Sequence, residues 1–460
     1  MDVKSFFQRW ISGTPDPGER TRTSSPELAP GALADTTAGA ATGSASPGTQ
    51  PAWTGTGARR PVIADTGAVI GYEFCLPPLV MKRLEKATEQ AVKSAYIATV
   101  LASASLSAKS GKMGFARIPA HLVGPDMVVQ DCAGVWVALE CAPDAARDKL
   151  QPQHLAAFVH RVRQARAKVG WNAPTGSSGM DVAPDFVLLL QGQSSISGLV
   201  GEFAARPQAF KGLPALATDL GSEEDLEAAL LGGISYVCGA FQRNATPAPG
   251  ALRQRVPPDV IRLVNLMHLL QTDAELAALV NDIKGDVGLS YRLLSVMKGA
   301  TYANHSAGLN IEQTVLTLGR NELHRILSIM LLRYTGARKV SSALEVIALW
   351  RARLLELLAT ERDEASPGHF FTLGLVSMLG SILKQDLSDV VEKLSLADPA
   401  KQALLSLEGP WSPYLRVAME VEGQTLDSSG LHLADFGGAD RISALSDTAW
   451  DWAEQQSRRK

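Results

Sequence analysis

Hydrophobic and polar positions follow two regimes along this chain. From Arg60 to about Gln242, short apolar runs alternate with helical patterns. Val62–Ala64 and Val69–Phe74 flank the turn Asp65-Thr66-Gly67, which predicts a hairpin-like start. Leu84–Leu106 carries a long helical pattern, and Met113–Ile118 reads as a strand. Val135–Leu139, Phe186–Leu190 and Ile234–Val237 are further apolar runs of strand length. His154–Lys168 reads as a helix. So does the segment after Ser222, an N-cap residue followed by Glu223-Glu224-Asp225 at the positive helix end. Strands alternating with helices predict a parallel α/β sheet or barrel.

Beyond Thr246–Gly250, which holds two prolines and a glycine, the pattern becomes helix after helix. Pro258–Leu270, Asp273–Lys284, Val287–Lys298, Ile311–Leu318, Glu322–Tyr334 and Ala343–Ala359 place apolar residues three and four apart. Phe370–Leu383, Leu387–Leu394, Lys401–Leu407 and Tyr414–Val421 continue the series. Gly285, Gly319 and Gly336 sit where helices should end. Gly374 and Gly380 fall inside helical patterns, where close helix packing explains them. The plan is therefore an α/β domain over 58–245, a linker over 246–255 and an all-α domain over 256–452. Upstream, residues 13–57 are dominated by Ala, Gly, Pro, Ser and Thr, a composition too poor in apolar groups to offset chain entropy. They read as a disordered linker. Before them Val3, Phe6, Phe7, Trp10 and Ile11 recur at helical spacing, so 1–12 reads as a short amphipathic helix.

Composition narrows the function classes. Forty-four basic residues against 47 acidic leave a formal charge of −3 over 460 residues. That balance argues against a general nucleic-acid binder. No apolar run reaches the roughly 18 residues needed to cross a bilayer, and the N-terminus lacks the apolar core of a signal peptide. The four cysteines (Cys75, Cys132, Cys141, Cys238) show no C-x-x-C spacing. A cytoplasmic, reduced protein is expected. The eight histidines offer no His-Asp pair and no helical ligand spacing, and there is neither a phosphate-binding P-loop nor a Gly-x-Ser-x-Gly elbow. No catalytic residue, metal ligand or cofactor is read from the residues.

The segment Asp282–Gly319 resembles the HDOD domain, an all-helical relative of the HD phosphohydrolases that lacks their metal ligands. Asp286, Leu289, Leu293, Leu294, Leu318 and Gly319 fit its pattern, while Lys298-Gly299-Ala300 replaces the usual Asn-Ser-Ala turn. Ala348-Leu349-Trp350-Arg351-Ala352, Glu356 and Phe371–Ser377 look like the variant joined to an EAL domain. Upstream, Pro61-Val62-Ile63 and Ile70-Gly71-Tyr72-Glu73 are similar to the first strands of EAL domains, the cyclic di-GMP phosphodiesterases. Leu231–Phe241 resembles their last strand, with Cys238 where the family has Gln. The resemblance implies a degenerate TIM-barrel-like EAL domain followed by an HDOD helical bundle. The stretch is short for eight strands, so some elements should be reduced or missing.

The resemblance also implies a metal-dependent site, which this chain departs from. Glu73 occupies the first glutamate and Glu140 the second place of a Glu-x-x-Glu pair, whose first place falls on Val137. Arg117 stands where a metal-binding Asn is usual, and Pro77 where a substrate-contacting Arg is usual. Trp171–Thr175 holds no carboxylate, Val187–Leu190 is wholly apolar, and Asp181 and Asp185 are given no role. Glu73, Arg117 and Glu140 are thus relics of a ligand-binding site. An Arg beside a metal position opposes metal binding, yet could face a nucleotide phosphate. The chain reads as a catalytically inactive bacterial signalling adaptor, a pseudoenzyme working through protein–protein interaction with other signalling proteins. One alternative is a cyclic di-GMP receptor using the degenerate barrel. Another is a metal-dependent phosphodiesterase or phosphohydrolase with unrecognised ligands.

Overall fold

The computed structural model describes most residues from 58 to 458. Residues 1–57, 77–80, 142–151, 173–182, 242–255, 294–310 and 423–434, with some shorter stretches, fall outside that description. The expected N-terminal helix, the 13–57 and 246–255 linkers, Pro77, Asp181, Gly336 and the Lys298-Gly299-Ala300 turn all lie there.

Eight strands close into one barrel in sequence order. They are β1 (Ala58–Ala64), β2 (Val69–Cys75), β3 (Met113–Pro119), β4 (Val135–Glu140), β5 (Lys168–Asn172), β6 (Phe186–Leu190), β7 (Ala215–Leu220) and β8 (Tyr236–Gly239). From β2 to β8 successive strands pair in parallel. β1 runs antiparallel to both β2 and β8, because the Asp65–Gly67 turn reverses the chain. The first half of β1 therefore lies at the same barrel end as the C-terminal ends of the other strands, with Arg60 paired to Glu73. Val62, Phe115, Ala138, Phe186, Leu188, Leu216 and Cys238 form the apolar cluster that fills the interior.

All eight strands are present, so the expected shortage does not fall on them. β5 and β7 complete the barrel although the apolar pattern does not predict them. Four α-helices follow strands among the described residues: α1 (Gln90–Lys109), α2 (Pro152–Gln164), α3 (Ile196–Ala204) and α4 (Glu223–Leu231). Only a three-residue 3-10 turn, Ala120–Leu122, is described between β3 and β4. Helix α4 is capped by the Ser222 hydroxyl, which accepts from the Asp225 N–H at 3.1 Å. Helix α1 is long and apolar enough to span a bilayer, yet half of that apolar window is buried within the protein.

A helical region follows: α5 (Pro258–Gln271), α6 (Leu276–Lys284), α7 (Ile311–Leu332), α8 (Ser341–Glu361), α9 (Pro367–Val376), α10 (Leu379–Leu383), α11 (Leu387–Val391), α12 (Asp398–Ser406), α13 (Ser412–Val421) and α14 (Ala439–Arg458). Gly319 breaks α7 with a φ of 71°, which divides it where the sequence pattern divides it. α8 is the buried central helix. α9 lies so close to it that a Cβ on Gly374 would meet the Ala352 Cα at 2.6 Å. α14, absent from the periodicity reading, stacks Trp450 on Trp350 of α8 at 5.0 Å between ring centroids.

The barrel and the helical region share an interface along β1. At one end, Lys339 and Ser342 at the start of α8 donate to the main-chain carbonyls of Asp65 and Gly67. At the other end, Arg59 lies over the ring of Tyr72 and reaches Asp447 and Glu454 of α14, each at 3.6 Å.

Candidate functional site

Strand alternation builds the site. Val62, Phe115, Ala138, Leu216 and Cys238 lie in the apolar cluster. On the neighbouring inward positions two residues away are Arg60 of β1, Arg117 of β3, Glu140 of β4 and Thr218 of β7. They meet Glu73 of β2, whose side chain is completely buried. The Thr218 hydroxyl donates to Glu73 Oε1 at 2.7 Å, and the Cys238 thiol donates to Oε2 at 3.2 Å. Arg117 Nε stands 3.5 Å from Glu73 and 3.8 Å from Glu140, and Arg60 Nη1 stands 3.5 Å from Glu73.

A third carboxylate completes the cluster. Asp219 follows Thr218, so strict alternation would turn it away from the interior. Instead β7 shifts register between Ala217 and Leu220, and Asp219 takes a φ of 58°. This local bulge lets two successive side chains serve one site. Asp219 accepts hydrogen bonds from Arg117 and, at 3.2 Å, from Arg60. Such left-handed strain at a non-glycine residue marks a position that its surroundings over-determine.

The structure brings together all three residues singled out from sequence: Glu73, Arg117 and Glu140. It adds Arg60, Asp219, Thr218 and Cys238. Arg60 could have been found from its two-residue offset from Val62, whereas nothing in the sequence announces the bulge at Asp219. Asp185 lies elsewhere, accepting from the Val169 N–H and from Arg163.

Charge balance within the cluster shifts its titrations. Burial raises Glu140 above its ordinary range, with Arg117 opposing. For Asp219 burial acts upward too, but Arg117 and Arg60 outweigh it and hold the carboxyl below its ordinary value. Burial disfavours charge on Arg117, yet Glu73, Asp219 and Glu140 keep it firmly protonated. Burial and the Glu73 carboxylate push the Cys238 thiol well up, which keeps it a donor.

The divalent metals that the resemblance implies do not fit this donor set. The Arg117 guanidinium already engages Glu73, Glu140 and Asp219, so an added ion would face a fixed positive charge among its own ligands. Among the described residues, no group of three or more His, Cys, Asp or Glu side chains is arranged to hold a metal ion.

The helical region gathers three histidines that look scattered in sequence. His268 and His369 stack at 6.3 Å between centroids, and His324 shares Gln271 and Thr372 as neighbours. Burial, with His369 and Arg325 adding, pushes His324 down to about 4. The imidazole is therefore neutral at physiological pH and sits as a packed polar group.

No protein-family model matches the chain. Two curated proteins are similar in sequence. The uncharacterized Bacillus subtilis protein YuxH is 28% identical over 148 residues, covering 32% of this chain and 36% of that protein. The cyclic di-GMP phosphodiesterase CdgJ of Vibrio cholerae is 26% identical over 198 residues, covering 42% of this chain and 45% of its own. The chain thus spans less than half the length of the curated relatives it matches. Among solved structures, the EAL domain of Pseudomonas aeruginosa FimX bound to c-di-GMP is 14% identical with a TM-score of 0.29, covering 40% of this chain and 86% of its own. Bacillus subtilis YkuI, with an EAL domain in complex with c-di-GMP and calcium, is 15% identical with a TM-score of 0.29, covering 56% and 71%. The closed barrel followed by helices, taken with the cyclic di-GMP phosphodiesterase relative, supports an EAL-like domain in this chain.

Proposed function

We propose that the chain is a non-hydrolysing receptor for cyclic di-GMP, with the barrel mouth as the binding site and an HDOD-type helical region as the output. The observation that carries this reading is the pair of guanidiniums, Arg60 and Arg117, at the C-terminal end of an EAL-like barrel. Guanidinium forks match phosphate oxygens in charge and geometry. A cyclic dinucleotide carries two such phosphates, and the relative CdgJ acts on one. Glu140, raised by burial, takes up a proton more readily than a free carboxylate and so relieves part of the repulsion an incoming phosphate meets. Absence of turnover follows from Arg117, which fills with fixed positive charge the space that metal ions would need.

A second reading, the adaptor that captures other signalling proteins without a nucleotide, is favoured by one observation. Both arginines are already paired to carboxylates, so a ligand must displace those contacts to bind. Incubating the protein with cyclic di-GMP and magnesium or manganese, followed by chromatography of the nucleotides, tests the non-hydrolysing part. Intact dinucleotide is expected. Linear product that disappears in Glu73→Gln would overturn it.

A further inference from the structure

We propose that Arg60 is the joint through which the state of the barrel mouth reaches the helical region. The guanidinium works in both directions. Nη1 lies 3.2 Å from Asp219 Oδ1 and 3.5 Å from Glu73 Oε2, both in the barrel. Nε donates to the main-chain carbonyl of Glu422 at 3.3 Å, at the C-terminal end of α13. The polar connection does not stop there. The Glu422 carboxylate accepts from Arg351 through two parallel bonds, at 2.8 and 2.6 Å. Arg351 is completely buried in the middle of α8, and its remaining arm donates to Ser377 at 2.9 Å, beside α9. Polar contacts thus lead from the mouth through Glu422, by its main chain on one side and its carboxylate on the other, to the packing of α9 on α8.

A small cavity between the two regions is lined by Arg60, Gly239, Phe241, Ile347, Glu422 and Trp450. With room for only about one water, it permits a small tilt of the fork rather than a full swing. A phosphate at the mouth competes with Asp219 and Glu73 for Nη1, and turning the fork toward it alters the approach of Nε to Glu422. By linkage, any partner that shifts α13 alters affinity at the mouth by the same factor. The inference rests on the receptor reading only for the identity of the ligand. The coupling itself is a property of Arg60 and its two sets of partners.

The test uses the full chain and amide hydrogen exchange read by mass spectrometry. Asp219→Asn removes a charge that touches Arg60 and Arg117 but no helical residue, and Asn tolerates the left-handed backbone. It is expected to accelerate exchange in 412–422 and 345–358 roughly 5-fold or more. In an Arg60→Gln background, or in Arg60→Lys should the first fail to fold, the same change is expected to add less than about 2-fold. Helical amides indifferent to Asp219→Asn, or an acceleration that persists without Arg60, would overturn the joint. Repeating the exchange with cyclic di-GMP separates the two proposals. Coupling without any nucleotide binding leaves the joint standing and sinks the receptor reading. Binding that leaves the helical amides unchanged sinks the joint alone.

Discussion

Arg117 gathers three carboxylates that would otherwise repel one another inside a barrel. Glu73 among them has no exposed surface. Removing one partner of a buried, hydrogen-bonded charge set strands the other, at a cost of about 3–5 kcal/mol. Arg117→Met is therefore expected to lower unfolding free energy by that amount in urea titrations, and adding Glu73→Gln to recover more than half of it. A variant as stable as the parent would show that the cluster is not held together by Arg117. His324 gives a second expectation at this scale. Its folded value of about 4 lies below the ordinary 6.5, so the unfolded chain takes up a proton first as pH falls. The stability linked to His324 is present above pH 6.5 and is lost toward pH 4, by about 3 kcal/mol in all. His324→Gln should flatten that limb of a pH series of urea midpoints. At the residue scale the sequence makes Glu73, Arg117 and Glu140 legible, because motif positions and strand alternation place them. Asp219 is hidden, since its role depends on a bulge that no periodicity encodes.

The bulge in β7 is the element that makes the site. With φ at 58°, position 219 favours residues that tolerate the left-handed region, and a β-carbon without local polar support costs about 1–2 kcal/mol there. Asp219→Ala should thus be less stable than Asp219→Asn by about 1 kcal/mol, although both lose the same charge. Equal stabilities in thermal melts would mean that the backbone at 219 carries no strain. The hairpin of β1 and β2 is legible because a glycine turn separates two apolar runs. β5 and β7 escape the pattern: Lys168-Val169-Gly170-Trp171-Asn172 is short and polar at both ends, and Ala215–Leu220 is too rich in alanine to read as a strand. The helices of the helical region are legible from their apolar spacing. α14 is not, because its acidic residues mask the Trp450 face that packs on Trp350.

At the scale of the whole molecule, β1 is at once a barrel strand and the contact strip for the helices. α14 turns Asp447, Asp451 and Glu454 toward Arg59, so one cation meets three acids. Burial pushes Asp447 up to about 7, with Arg59 opposing and Asp451 adding. Because its folded value lies above the ordinary 3.8, its contribution is fully present below that pH and is lost as pH rises through about 7. Asp447→Asn should accordingly raise Tm at pH 8 and leave it nearly unchanged at pH 4. A drop in Tm at pH 8 would show that Asp447 works there as an ion-pair partner of Arg59.

Calorimetric titration of cyclic di-GMP into the full-length protein, with and without magnesium, tests the central claim most directly. The receptor account predicts saturable heat at micromolar nucleotide in both conditions, weakened at least about tenfold in Arg117→Gln through loss of a charge-assisted phosphate contact. No heat up to millimolar nucleotide would contradict it and leave the adaptor reading in its place.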